Sequence, residues 1–169
     1  MANSPQEKHL EKVVTSNMVN CLIELNKLDE AFSCMLLFIS RHPKNVPALA
    51  KMGYIKYLQG QYKSALDFYK IALKRDPTNI DLLNNAAVLL RLLGNFEMSK
   101  KFCDKILSTA GYSHASNLTN TMLLSLSMGM LSDAHAMCEL IYENEPFNTS
   151  NLVDFACNSW ACGLCWGEN

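Results

Sequence analysis

The cysteines near the C-terminal end have the spacing that most resembles a chemical site. Cys162 and Cys165 are separated by two residues, as in half of a zinc site or in a redox-active dithiol. A zinc site needs two further ligands, and Cys157, His135 and Cys138 are the candidates, since the chain has no second Cys-x-x-Cys. A redox dithiol is typical of a strand–turn–helix context, which a helical chain lacks. We therefore expect no metal and no cofactor. If a metal were bound, Cys162 and Cys165 would be the ligands that the sequence suggests.

Other catalytic patterns are missing from the sequence. The four histidines are not spaced with a carboxylate and a nucleophile as an acyl-transfer site requires. No glycine-rich phosphate loop is present, and the acidic residues are dispersed rather than paired for acid–base work. The sequence predicts a protein that is not an enzyme.

Composition and charge narrow the class of partner. Apolar residues make up 49% and charged residues 18% of the 169 residues, which is typical of a folded protein. The formal net charge of −1 predicts no nucleic-acid partner. Basic residues gather on two predicted helices, at 62–75 and 96–109: Lys63, Lys70, Lys74, Arg75, Lys100, Lys101 and Lys105. We interpret them as a solvated outer helix face rather than as an RNA-contacting patch. The polar start and the lack of a long apolar run predict a cytoplasmic protein without a membrane partner.

Glycines recur along the chain with a nearly constant spacing. Gly60, Gly94, Gly129 and Gly163 are 34, 35 and 34 residues apart, and Asn26 precedes Gly60 by 34. Asn26, Gly60, Gly94 and Gly129 are each followed two residues later by a bulky apolar residue, namely Leu28, Tyr62, Phe96 and Leu131. Three residues further comes a small one: Ala31, Ala65, Ser99 and Ala134. Such a period indicates repeated helical hairpins, with a positive φ at the turn.

A second series marks the ends of the units. Pro43, Pro77 and Pro146 are each followed two residues later by asparagine, which can cap the next helix. The sequence therefore predicts four units at 12–45, 46–79, 80–113 and 115–148, after a polar lead-in at 1–11 and before a further helix and apolar tail at 149–169. We expect helices near 13–25, 28–41, 47–59, 62–75, 81–93, 96–109, 116–128, 131–144 and 150–162.

These units resemble the tetratricopeptide repeat (TPR) family, whose unit is 34 residues long. The second unit fits best, with Leu49, Met52, Gly53, Gly60, Tyr62, Ala65, Tyr69, Ala72 and Pro77 in the expected places. The third departs most, at Ser99, Cys103 and Ile106. The resemblance implies an all-α, TPR-type α-solenoid of four helical hairpins plus a C-terminal fifth-repeat or capping helix. That last segment carries Phe155, Trp160, Leu164 and Trp166, which suggests a further apolar surface, either a face for self-association or a contact folded back on the stack.

The resemblance also implies a concave groove lined by the first helix of each hairpin. The sixth position of the four units carries three amides and one amine: Asn17, Lys51, Asn85 and Asn120. Further inward positions carry Asn20, Tyr54, Tyr57, Asn84 and Arg91. Amides both donate and accept hydrogen bonds, so they suit the backbone of an extended peptide. The alternative is that asparagine is merely tolerated on a solvated helix face.

The function expected from the resemblance is a non-catalytic adaptor or chaperone that binds an extended segment of another protein. Two narrower alternatives are a cytosolic chaperone of type III secretion translocators and a subunit of a larger ciliary or trafficking assembly. The carboxylate clamp found in some family members is not expected. Aligned from the first unit, its positions read Ser16, Asn20, Lys51, Asp81 and Asn85, and only Asn20 agrees.

Overall fold

The computed structural model describes residues 4–111 and 115–144, and within them it contains eight α-helices and no strand. The helices are α1 Pro5–Glu24, α2 Leu28–Arg41, α3 Val46–Leu58, α4 Tyr62–Leu73, α5 Ile80–Leu92, α6 Phe96–Ala110, α7 Ala115–Ser127 and α8 Leu131–Asn144. They pack as four consecutive hairpins, α1 with α2 through α7 with α8. The all-α prediction is confirmed, whereas the ninth helix predicted at 150–162 lies outside the described residues.

The turn inside each hairpin has the same geometry in all four cases. Gly60, Gly94 and Gly129 have φ of 72°, 76° and 73°, and Asn26 has φ of 55°. The residue after each of these donates its backbone N–H to the carbonyl five residues earlier, at 2.8 to 2.9 Å. This hydrogen bond closes a Schellman motif, which needs a left-handed residue that glycine and asparagine tolerate best. The predicted positive φ is therefore confirmed at all four turns.

Asparagine side chains start two of the first helices, as predicted. Asn45 Oδ1 accepts a hydrogen bond from the Ala48 N–H at 2.9 Å, and Asn79 Oδ1 accepts one from the Leu82 N–H at 3.1 Å. Each bond satisfies one backbone donor that a helix N-terminus leaves free.

The first helix begins earlier than residue 13, where the sequence pattern starts it. α1 begins at Pro5, because Ser4 and Glu7 form a reciprocal capping box with bonds of 2.7 and 3.2 Å. Residues 5–11 of the predicted lead-in are thus the first turns of α1. Glu11 anchors this extension to α2, since its carboxylate accepts from Arg41 at 2.8 Å and lies 3.1 Å from His42 Nε2. Both contacts hold the pKa of Glu11 below its ordinary value.

The chain divides into two compact units, Met1–Pro77 and Thr78–Asn169. In the N-terminal unit one core cluster lies where α1, α2 and α3 meet, and its buried members are Val19, Ala31, Met35, Phe38, Ala48, Met52 and Ile55. The crossing of α3 and α4 is close because Gly53 presents no side chain to the ring of Tyr69, which is only 2% exposed.

Among the described residues of the C-terminal unit, clusters of buried side chains join neighbouring helices. One joins α7 and α8 through Leu118, Met122, Ala134, Cys138 and Ile141, and another joins α5, α6 and α7 through Ala87, Cys103 and Leu124. Ser99, which replaces the usual small apolar residue of the repeat, is 1% exposed. Its hydroxyl donates to the Ala87 carbonyl at 2.8 Å, so the substitution keeps the crossing tight without leaving a polar group unpaired.

Candidate functional site

In the N-terminal unit, three of the predicted groove residues lie together on α1 and α3. Lys51 Nζ donates a hydrogen bond to Asn20 Oδ1 at 2.8 Å, which joins the two first helices of this unit. Asn17 is exposed and lies one turn before Asn20 on α1. Lys51, at the sixth position of the second unit, thus bonds to Asn20 and not to Asn17, which holds the sixth position of the first unit.

The predicted tyrosines of the N-terminal unit form a row on the surface at the end of α3. Tyr54 and Tyr57 are 41% and 36% exposed, and their ring centroids lie 6.4 Å apart at an interplanar angle of 25°. Tyr62 extends the row, with its ring centroid 5.8 Å from that of Tyr57. The sequence pattern marked Tyr62 as a packing residue and missed this contact, because it depends on the turn between α3 and α4.

Tyr69 is buried close enough to Tyr54 and Tyr57 to feel their charge, and it is protonated at neutral pH. Burial raises the pKa of Tyr69 to about 12, and Tyr54 and Tyr57 add smaller upward contributions. Tyr69 is therefore a neutral, buried side chain near Tyr54 and Tyr57.

In the C-terminal unit, the predicted amides also meet across two first helices. Asn120 Nδ2 on α7 donates to Asn84 Oδ1 on α5 at 2.7 Å. Asn85 is exposed beside this pair. Asn120, at the sixth position of the fourth unit, thus bonds to Asn84 and not to Asn85, which holds the sixth position of the third unit.

Arg91 lies on the same helix as Asn84 and Asn85, near its C-terminal end. Its side chain is half-buried, and among the described residues its Nε has no hydrogen-bond partner. Its charge reaches the buried Cys103, where burial raises the pKa of the thiol and the guanidinium lowers it slightly. Within the described part of the C-terminal unit, the half-buried Arg91 forms no ion pair.

Within the described ranges no group of three or more His, Cys, Asp or Glu side chains could hold a metal ion. Cys162 and Cys165 lie outside those ranges, as does the apolar segment for which self-association was predicted. His135 lies 3.4 Å from Glu139, and Cys138 is buried against Met122, so neither is poised as a ligand. None of the described helices is long and apolar enough to cross a membrane.

Comparison with known proteins gives two matches to family models of the tetratricopeptide repeat, over residues 46–79 and 68–101. Protein O-mannosyl-transferase TMTC1 of Mus musculus is 40% identical over 73 residues, which is 43% of this chain and 8% of that protein. Anaphase-promoting complex subunit 6 of Dictyostelium discoideum is 30% identical over 78 residues, which is 46% of this chain and 9% of that protein. The chain thus spans less than a tenth of these curated relatives.

Solved structures show the same fold. A tetratricopeptide repeat protein from Parabacteroides merdae aligns with a TM-score of 0.80 and 19% identity, over 90% of this chain and 59% of that one. YrrB, described as a TPR protein with an unusual peptide-binding site, aligns with a TM-score of 0.67 and 17% identity, over 88% and 76%. The first TPR domain of Spaghetti (RPAP3), bound to an HSP90 peptide, aligns with a TM-score of 0.62 and 23% identity, over 70% and 93%.

The four hairpins, with their shared left-handed turns and small residues at the helix crossings, define a helical-repeat protein of the kind that serves protein–protein interaction. The family-model matches and the fold make the assignment specific. The chain belongs to the tetratricopeptide repeat family.

Proposed function

We propose that the chain is a non-catalytic adaptor or chaperone in the cytoplasm that binds an extended peptide segment of a partner protein on its first helices. The observation that carries this proposal is the same in both units. In each unit, hydrogen-bonding side chains on successive first helices meet, Asn20 with Lys51 and Asn84 with Asn120, and an exposed asparagine lies beside each pair.

Such a face suits the backbone of an extended chain. A carboxamide can donate to a peptide carbonyl and accept from a peptide N–H at the same time, so an exposed asparagine can pair with one residue of a strand-like ligand. Asn17 and Asn85 have this freedom, because no hydrogen bond of their side chains is found within the described residues.

The tyrosine row of the N-terminal unit supplies the apolar part of the contact. Exposed tyrosines offer large, rigid contact areas with a polar tip and few rotatable bonds, and they are enriched where proteins bind one another. Tyr54 and Tyr57 lie on the same helix as Lys51, within two turns of it. A peptide bound along α3 would meet amine, amide and aromatic groups in succession.

The test is capture of partners from the native source with the full chain as bait. The surface variant carries Asn17→Ala, Asn85→Ala and Tyr57→Ala, three exposed positions whose loss leaves the cores intact. We expect it to lose at least tenfold in affinity for the captured partner, since hot-spot truncations cost about 1 to 2 kcal/mol each.

The matched control carries Lys63→Ala, Lys100→Ala and Lys101→Ala, three exposed positions on the second helices α4 and α6. It is expected to bind as the unaltered chain does. Circular dichroism would establish that both variants remain helical. The proposal is wrong if the surface variant retains the partner at full affinity, or if the control loses it equally.

A further inference from the structure

A pocket in the N-terminal unit opens between α1 and α3 and has an apolar floor. It has a volume of about 90 Å³ and is lined by residues of α1, α2 and the start of α3: Lys12, Thr15, Ser16, Met35, Phe38, Asn45, Pro47, Ala48 and Lys51. Met35, Phe38 and Ala48 belong to the buried core, with 4%, 6% and 4% of their surface exposed. The floor is therefore the hydrophobic core itself, reached from the first-helix side.

The size of the pocket limits what it can hold. An enclosed apolar cavity of roughly 150 Å³ accommodates benzene, so an open pocket of about 90 Å³ suits a branched aliphatic side chain better than an aromatic ring. Met35, Phe38, Pro47 and Ala48 offer no side-chain hydrogen bond, so the floor of the pocket suits an apolar group better than water.

The rim of the pocket is positively charged. Lys12 and Lys51 stand on it, and no carboxylate is among the lining residues. Lys51 is held by the neutral Asn20, and Lys12 has no ion pair among the described residues. Glu11, which precedes Lys12 in the sequence, is engaged by Arg41 and His42.

Two further features favour negative charge at this rim. The N-terminus of α3, which begins at Val46, lies at the pocket, and helix N-termini carry a partial positive charge. The second feature is the pair of hydroxyls of Thr15 and Ser16, which can donate hydrogen bonds to a carboxylate of the ligand.

We propose that this pocket takes one branched aliphatic side chain of an acidic segment in a partner protein, while the flanking Asp or Glu carboxylates pair with Lys12 and Lys51. This inference rests on the proposed function, because it names the chemistry of the segment bound there. It requires side-chain carboxylates rather than a free chain end.

The experiment measures binding of fluorescein-labelled, C-terminally amidated pentapeptides to the full chain by fluorescence anisotropy at low salt. The probe is Glu-Asp-Leu-Asp-Glu. Replacing its leucine by alanine is expected to weaken binding about tenfold, because the apolar contact is lost. The neutral peptide Gln-Asn-Leu-Asn-Gln is expected to bind about fivefold more weakly than the probe, and adding salt should remove that difference.

Variants locate the site. Lys12→Gln with Lys51→Gln removes the rim charge while glutamine can still donate to Asn20, and about fivefold weaker binding of the probe is expected. Ser16→Leu places an apolar side chain at the pocket mouth and should abolish the preference for leucine over alanine. The control, Lys63→Gln with Lys70→Gln on α4, removes two exposed charges that do not line the pocket and should leave binding unchanged.

The inference is overturned if the probe shows no binding, if the α4 control weakens binding as much as the rim variant does, or if Ser16→Leu leaves the leucine preference intact. Partner capture separates this outcome from failure of the proposed function. Loss of the captured partner in the Asn17, Asn85 and Tyr57 variant, with retention in Ser16→Leu, would overturn the pocket alone. Loss of the captured partner in Ser16→Leu, with retention in the Asn17, Asn85 and Tyr57 variant, would overturn the proposed function alone.

Discussion

Gly53 in the middle of α3 is the position where a single methyl group tests the repeat packing most directly. A Cβ atom placed there would lie 3.0 Å from Tyr69 Cε2 and 3.1 Å from Cδ2 and Cζ. Tyr69 is 2% exposed, so its ring is enclosed by the protein and can yield only if its neighbours shift. The substitution Gly53→Ala therefore has two effects on stability: it raises the helix propensity of α3, and it crowds the ring of Tyr69.

The two effects have opposite signs. Alanine is favoured over glycine in a helix interior by about 1 kcal/mol. Inserting a methyl group into a well-packed core costs about 1 to 3 kcal/mol, because side chains and backbone must shift. We expect the packing cost to win, so that Gly53→Ala lowers the free energy of unfolding by about 1 kcal/mol.

The measurement is urea unfolding followed by circular dichroism, in a double-mutant cycle with Tyr69→Leu. In the Tyr69→Leu background the ring is gone, and Gly53→Ala should then raise the free energy of unfolding by up to about 1 kcal/mol. The control is Gly60→Ala, at φ of 72° with open space around it. It should lower stability by about 1 to 2 kcal/mol in both backgrounds, since only the left-handed backbone matters there.

The outcome that refutes the reasoning is stabilisation by Gly53→Ala in the presence of Tyr69. That result would mean that the ring yields without cost, and the close crossing of α3 and α4 would not explain why glycine occupies this position.

Two further predictions concern ionisation. Because the pKa of Tyr69 is raised from 10.0 to about 12, the native state keeps the phenol proton longer than the unfolded chain does. Its stabilising effect is complete below pH 10 and is lost as pH rises towards 12, by at most about 3 kcal/mol, and Tyr69→Phe should flatten this decline in urea unfolding. Burial raises the pKa of the Cys103 thiol, whereas Cys21 is exposed, so iodoacetamide at pH 8 should alkylate Cys21 well before Cys103 in peptide mapping of the native protein. Equal rates for the two cysteines would contradict the packing around Cys103.

The sequence by itself determined the helices and the turns that join them. Glycine or asparagine at the turn, asparagine caps such as Asn45 and alternating small and bulky residues each act within a few residues of chain, so their consequences are readable without knowledge of distant contacts. The early start of α1 at Pro5 was readable too, from Ser4 and Glu7, although the repeat phase drew attention to residue 13 instead.

Only the tertiary structure decided which side chains meet between helices. The regular sixth-position series suggested a ladder of like residues, yet the bonds run from Lys51 to Asn20 and from Asn120 to Asn84, because the angle and offset of neighbouring first helices choose the partner. The pocket above Met35 and Phe38 has the same origin. Its lining comes from three helices, and whether three packed helices leave a gap depends on side-chain volumes summed in space, which one-dimensional spacing does not contain.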